Sequence, residues 1–149
     1  MSTITVAPPS TGVHVPQSLR AASAAAAGIF LALHGIAHTV AFFAQWELSH
    51  FKGISYNTTL FYGKVDVGDV GIRIDGLLWL VAAAAFLVVG LRLAWLRKVE
   101  VRPLLVVTLF SLALCVLGLS QAIVGVWIDA AILVGLAVLM ILVRRTAAR

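Results

Sequence analysis

The chain has 149 residues, of which 62% are hydrophobic and only 11% charged, with a formal net charge of +5 and a mean hydropathy of +1.07. Soluble domains carry about 25% charged residues, so this composition excludes an ordinary soluble domain. The basic residues are spread along the chain rather than gathered in one patch, which excludes a nucleic-acid footprint.

A membrane span needs roughly 20 mostly apolar residues. Four stretches qualify, at 21–45, 74–96, 103–123 and 125–143, and none has the polar face that a helix of a soluble four-helix bundle would need. The expected fold is therefore all-α, an integral membrane four-helix bundle in one domain. The stretch 1–19 (MSTITVAPPSTGVHVPQSL), with His14, reads as a flexible cytoplasmic tail. The first apolar stretch exceeds a signal-peptide core and precedes no A-x-A-like cleavage site, so it is expected to be retained. Residues 146–149 form a short basic cytoplasmic end.

Orientation follows from the basic residues. Arg20, Arg92, Arg97, Lys98, Arg102, Arg144, Arg145 and Arg149 flank one side of the four stretches, against Lys52, Lys64 and Arg73 on the other. Both termini are thus expected in the cytoplasm. Glu47, Asp66, Asp69, Asp75 and Asp129 fall on or near the opposite side.

The first helix carries the main candidate site. His34 and His38, in IFLALHGIAHTVAFFAQW, have no other ionisable group between Arg20 and Glu47. Their spacing of four places both imidazoles on one side of a helical turn. Ionisable groups inside a bilayer are expensive and mark function by default. At 100° per residue, Ala24, Ala27, Gly28, Leu31, His34, Gly35, His38, Phe42 and Gln45 share one arc, while Ile29, Leu33, Ile36, Val40 and Phe43 face lipid. The small residues beside the histidines predict close helix contact.

The first connection, residues 46–73, is long and extracytoplasmic in this reading. Its KVDVGDVGIRI segment alternates about Gly68-Asp69 and predicts a hairpin, with a first helical turn over 70–75 as the rival. Long ordered loops often lie over sites. Asn57-Thr58-Thr59 matches a glycosylation acceptor, but the Ala-, Val-, Leu- and Arg-rich composition points to a bacterial inner membrane.

The second helix carries Asp75, Trp79, Ala82, Phe86 and Gly90 on one stripe. Pro103 suits the first turn of the third helix. That helix has a small and polar stripe of Thr108, Ser111, Cys115, Gly118 and Ala122, with Gln121 beside it. Cys115 is the only cysteine and reads as a small packing residue. A tight connection at 124–126 makes helices three and four antiparallel neighbours, and Trp127 and Asp129 begin the fourth.

At about 1.5 Å per residue, His34 and His38 lie about 21 and 27 Å from Arg20, Asp129 about 22 Å from Arg144, and Gln121 about 27 Å from Pro103. The four helices so place their polar groups in one outer-half layer. His34, His38 and Asp129 are the candidate catalytic set, with Asp75, Arg73, Gln121, Trp79 and Gln45 as candidate substrate-binding residues.

Three chemistries suit this set. Two imidazoles and a carboxylate can ligate Zn, Fe or Cu, but H-G-I-A-H lacks the glutamate of H-E-x-x-H, so no metal is assigned. A His–Asp pair can act as general acid and base on a small lipophilic molecule, which is the preferred reading. The histidines can also relay protons or hold a transported substrate. The plain alternative is structural: interhelical hydrogen bonds, with Asp75 and Asp129 as helix-end caps and the four tryptophans as interface anchors.

The segments LHGIAHTVAFF, GIRIDGLLWLVAAAAFLVVG and GVWIDAAILVGLAVL resemble small bacterial four-helix membrane proteins with a His-Gly-x-x-His element in the first helix. The resemblance spans most of 28–143. It implies the four-helix fold and leaves the chemistry, the cofactor and the ligand open. The expected partners are the lipid bilayer, a lipophilic ligand and a second copy or larger membrane complex. A non-catalytic accessory subunit is the other class of function considered.

Overall fold

The computed structural model describes residues 16–148, so His14 and most of the expected tail lie outside the described residues. The chain forms four helices: α1 (Gln17–Gln45), α2 (Gly68–Leu96), α3 (Val101–Leu117) and α4 (Leu119–Ala147). Helices α1, α2 and α4, each of 29 residues, are long and apolar enough to cross a membrane, and α3, with 17, is shorter.

Helix α1 starts inside the expected tail, because the Pro16 carbonyl accepts from the Leu19 and Arg20 amides and opens the first turn there. It ends where Glu47 takes a left-handed conformation (φ 54°). Helix α2 stops at Arg97, also left-handed, whose amide donates to the Leu93 carbonyl. Arg92 then pairs with Glu100 at 2.6 Å and ties the end of α2 to the start of α3.

The packing order is α1 on α2, α2 on α3 and α3 on α4. Gly28 meets Gly90 near one end of the α1–α2 pair and Gly35 meets Ala83 further along, so these helices run antiparallel. A Cβ on Gly28 would lie 2.5 Å from the Gly90 carbonyl oxygen, and one on Gly90 would lie 2.6 Å from that of Gly28. Only residues without side chains allow this approach. Helices α3 and α4 are antiparallel too, with Cys115 against Gly125 and Ser111 against Asp129. One core cluster gathers Leu31, Phe86, Val89, Leu93, Leu104 and Leu136; a second gathers Trp79, Ala82, Leu114 and Cys115 beneath the long loop.

Two expectations change. The α3–α4 reversal lies at Gly118, not at 124–126, and Ala122 (φ −113°, ψ 18°) bends the start of α4. Gln121 therefore belongs to the first turn of α4. Apart from Ser120-Gln121 the stretch 117–126 is apolar or glycine, so hydropathy carried no clear boundary; Gly118, where a Cβ would lie 3.5 Å from the Trp79 ring, was the available marker.

The loop does hold a hairpin, but with arms β1 (Thr59–Leu60) and β2 (Val65–Asp66) and a left-handed Phe61-Tyr62-Gly63 turn. Gly68-Asp69, the expected turn, opens α2 instead, two residues before the first turn at 70–75 of the rival reading. Within the loop, the Gly68 amide donates to the Asp66 carboxylate at 3.0 Å, which holds that carboxyl below its usual range. The Tyr56 hydroxyl donates to Asp69, and this bond raises the phenol above its usual value.

Candidate functional site

One turn of α1 presents His34 and His38 inward, 6% and 4% exposed, against the small-residue face of α2. Their rings stand edge-on to each other, with centroids 4.6 Å apart. Phe86 packs edge-on against both, and Trp79 against His38. These aromatic walls fix the two rings and shut out water on the α2 side.

From the other side, α3 and α4 supply the polar partners. Asp129 is fully buried (0% exposed). Its Oδ1 lies 3.0 Å from His34 Nε2, its Oδ2 accepts from the Ser111 hydroxyl at 2.7 Å, and the Cys115 thiol is 3.7 Å away. His38 Nε2 lies 2.7 Å from the same Ser111 oxygen. The four side chains thus form a continuous chain, His38–Ser111–Asp129–His34, drawn from three helices.

The directions of these bonds follow from the inventory of hydrogens. A carboxylate only accepts, so His34 donates from Nε2 and Ser111 donates its single hydrogen. The Ser111 oxygen must then accept from His38, whose Nε2 also carries a proton. These tautomers are assigned from the network. Neither Nδ1 has a hydrogen-bond partner among the described residues, and neither is fully enclosed.

Above the histidines lies a cavity of about 210 Å³. Both imidazoles form part of its lining, with Ala41, Trp79 and Ile128 as apolar walls and Ser55 and Asn57 of the loop as its roof. Among the described residues, no Lys, Arg, Asp or Glu lines it. The loop is fastened over it: the Phe61 amide donates to the Leu117 carbonyl at 2.9 Å, and Gln121 reaches the Ser55 carbonyl at 3.4 Å.

The expected site residues therefore separate into three positions. His34, His38, Gln45, Trp79 and Gln121 line the cavity. Asp129 stands behind it, touching two of the lining side chains, His34 and Cys115, as well as Ser111, which does not line the cavity. Asp75 is also behind, its Oδ2 accepting from Gln45 at 2.7 Å and Trp79 at 2.9 Å, so it positions two lining side chains. Arg73 lies outside the cavity lining, exposed, with its guanidinium over the Trp46 ring at 5.9 Å and its carbonyl accepting from the Trp46 indole.

Ser111 joins the two histidines through Asp129, and the sequence reading left it in a stripe rather than in the site. The signal was available: a carboxylate has two oxygens to satisfy in hydrocarbon, and one imidazole supplies one donor. The loop residues Ser55 and Asn57 carried no periodic signal. Among the described residues, no three His, Cys, Asp or Glu side chains converge as a metal cage requires. Compared with protein-family models, curated proteins and solved structures, the chain matches none of them.

Proposed function

We propose that this chain is a multi-pass protein of the bacterial inner membrane, with both termini cytoplasmic, whose outward-facing His/Asp pocket binds or processes a small lipophilic molecule by acid–base chemistry. The observation that carries this reading is the buried chain His38–Ser111–Asp129–His34 beneath a cavity that both imidazoles line. A structural cross-link between helices needs neither an adjoining cavity nor ring nitrogens left without a partner. A general base needs both.

In such a reaction His38 takes a proton from the bound molecule at Nδ1. Its Nε2 proton can pass to Ser111, and the Ser111 proton to Asp129 Oδ2. His34 holds the other carboxylate oxygen and steadies the charge. We also propose kinship with the small bacterial membrane proteins that carry a His-Gly-x-x-His element, on the His34-Gly35-x-x-His38 segment and on the segments at 71–90 and 125–139.

The test is a double-variant cycle on the protein in lipid. His38→Ala and Asp129→Asn are each expected to abolish turnover or ligand binding, and the pair together to lose little more. Additive partial losses that follow stability would leave only a structural role.

A second reading, an accessory subunit of a larger membrane complex, is favoured by α4. Asp129 and Leu136 are the residues it buries, while Trp127 and Val134 are 71% and 64% exposed and nothing lies near Gly135. Co-purification of a stoichiometric partner, lost on Val134→Trp, would favour that reading.

A further inference from the structure

We propose that the cavity takes an uncharged molecule with a hydrogen-bond donor at one end of an apolar body, that the donor engages Nδ1 of His38, and that the molecule enters sideways from the bilayer between α1 and α4. This rests on the pocket reading above and names its ligand class and route.

The donor requirement comes from the tautomers. With Nε2 of both imidazoles committed to Ser111 and Asp129, each Nδ1 presents a lone pair, not a hydrogen. Both side chains are more than nine-tenths buried and line the cavity, so these acceptors await a partner that the protein does not supply. His38 stands one turn nearer the loop and the polar roof, which makes it the first acceptor a headgroup meets. A ligand offering only acceptors would leave Nδ1 unpaired and repel it.

The uncharged character comes from the lining. Without a Lys or Arg on the wall, an anionic headgroup would lose its hydration and meet only neutral donors, with no countercharge; a cation would meet no carboxylate, because Asp129 and Asp75 both stand behind the lining. Burying either charge is prohibitive, whereas a hydroxyl or amide N–H needs one acceptor.

The route comes from the helix order. Helices α1 and α4 do not pack along a shared seam; His34 and Asp129 bridge them at one point. Above that bridge the cavity wall includes Ala37 and Val40 of α1 and Val124 of α4, and Val124 is 67% exposed. The loop is fastened at Leu117 and Ser55 and roofs the aqueous side, whereas on the side between α1 and α4 two lining residues, Ala37 and Val124, are exposed. At about 210 Å³ the cavity is smaller than pockets that engulf drug-sized ligands, about 300–1,000 Å³. It holds a headgroup, and a longer body would trail between α1 and α4 into the bilayer.

The experiment uses the full chain in lipid nanodiscs, with ¹⁵N-labelled histidine and three probes of one shape: 4-butylphenol, 4-butylanisole and 4-butylbenzoate. The phenol is expected to saturate and to move the His38 Nδ1 resonance. The anisole, which lacks the donor, should bind on the order of tenfold more weakly, and the benzoate should not compete. Val124→Trp, at a 67% exposed position of the cavity wall, should slow or weaken phenol binding several-fold while leaving the melting temperature unchanged. Equal binding of phenol and anisole would overturn the donor claim, and tighter benzoate binding the uncharged one, while the pocket reading stands. Unchanged binding by Val124→Trp would overturn the route. No binding by any probe, with the histidine resonances intact, would bring down both this inference and the pocket reading.

Discussion

Ser111 is the residue on which the arrangement of the site turns. It is the one group that accepts from His38 while donating to Asp129, and both bonds are 2.7 Å long. Ser111→Ala removes both. The expected loss is about 1–3 kcal/mol of stability, since a buried donor and a buried acceptor are left wanting, measured as thermal unfolding in detergent. In the same variant the ¹⁵N shifts of His38 should lose their fixed Nε2–H tautomer, while those of His34, still held by Asp129, should not change. His34→Ala is expected to be the harsher substitution, at about 3–5 kcal/mol, because it strips a fully buried carboxylate of its ring donor. At the loop, Tyr56 gives a check by titration. Its phenol donates to Asp69 and is raised from the usual 10.0 by that bond. A raised value means that the bond's contribution is complete below pH 10.0 and disappears as pH climbs through the folded value. Phenolate absorbance from Tyr56 should therefore appear above pH 10.0 and fall back toward it in Asp69→Asn.

At the scale of the helices, the α1–α2 contact is set by backbone approach rather than by side-chain size. Gly28→Ala places a methyl 2.5 Å from the Gly90 oxygen and 2.6 Å from the Ala94 nitrogen, both backbone atoms that cannot turn aside. The expected effect is a loss of about 1–3 kcal/mol from overpacking, and Gly35→Leu should behave likewise, with Ala83 and Phe86 in its way. Gly135→Ala meets nothing within 4 Å and Ile36→Leu sits at a 52% exposed position, so neither should lower the melting temperature. Equal melting temperatures across the four variants would show that the α1–α2 face is misplaced. The hairpin is held differently. Asp66 accepts from the Gly68 amide and its carboxyl lies below the usual 3.8, so its contribution is complete above pH 3.8 and lost as pH falls through the folded value. Protection of the Gly68 amide, measured as its exchange rate relative to the intrinsic rate at the same pH, should fall in that acid range.

For the molecule as a whole, the proposed orientation with both termini cytoplasmic rests on eight basic residues against three. Cysteine placed at residue 60 in a Cys115→Ala background should be labelled by an impermeant reagent from outside intact cells and not from inside inverted vesicles. Labelling from the cytoplasmic side alone would reverse the membrane placement and turn the cavity toward the cytoplasm. Helices α1 and α4 meet through the His34–Asp129 pair while α2 packs on α3, so loss of that pair should loosen α1 against α4 and leave the α2–α3 contact in place.

The sequence by itself determined the helical class, the existence of four apolar segments and most of the inward face of α1, because hydrophobic length and a period of 3.6 are local properties. Val40, expected toward lipid, instead lines the cavity, and Ala27, expected inward, is exposed, because the loop and α4 rather than helical period set what covers them. It also singled out His34, His38 and Asp129, since ionisable groups are conspicuous where nearly every neighbour is apolar. The position of the α3–α4 reversal was not legible: every residue near it but Ser120 and Gln121 is apolar or glycine, and the chain turns at Gly118 because Trp79 and Leu114 meet it there. Nor was the role of Ser111. A serine in an apolar helix pairs with whatever the neighbouring helices bring within reach, and only their packing decided that this would be a carboxylate on one side and an imidazole on the other. The exclusion of Arg73 from the cavity has the same origin. Its guanidinium is drawn to the Trp46 face at the outer edge, a choice made between two helices and invisible along either one.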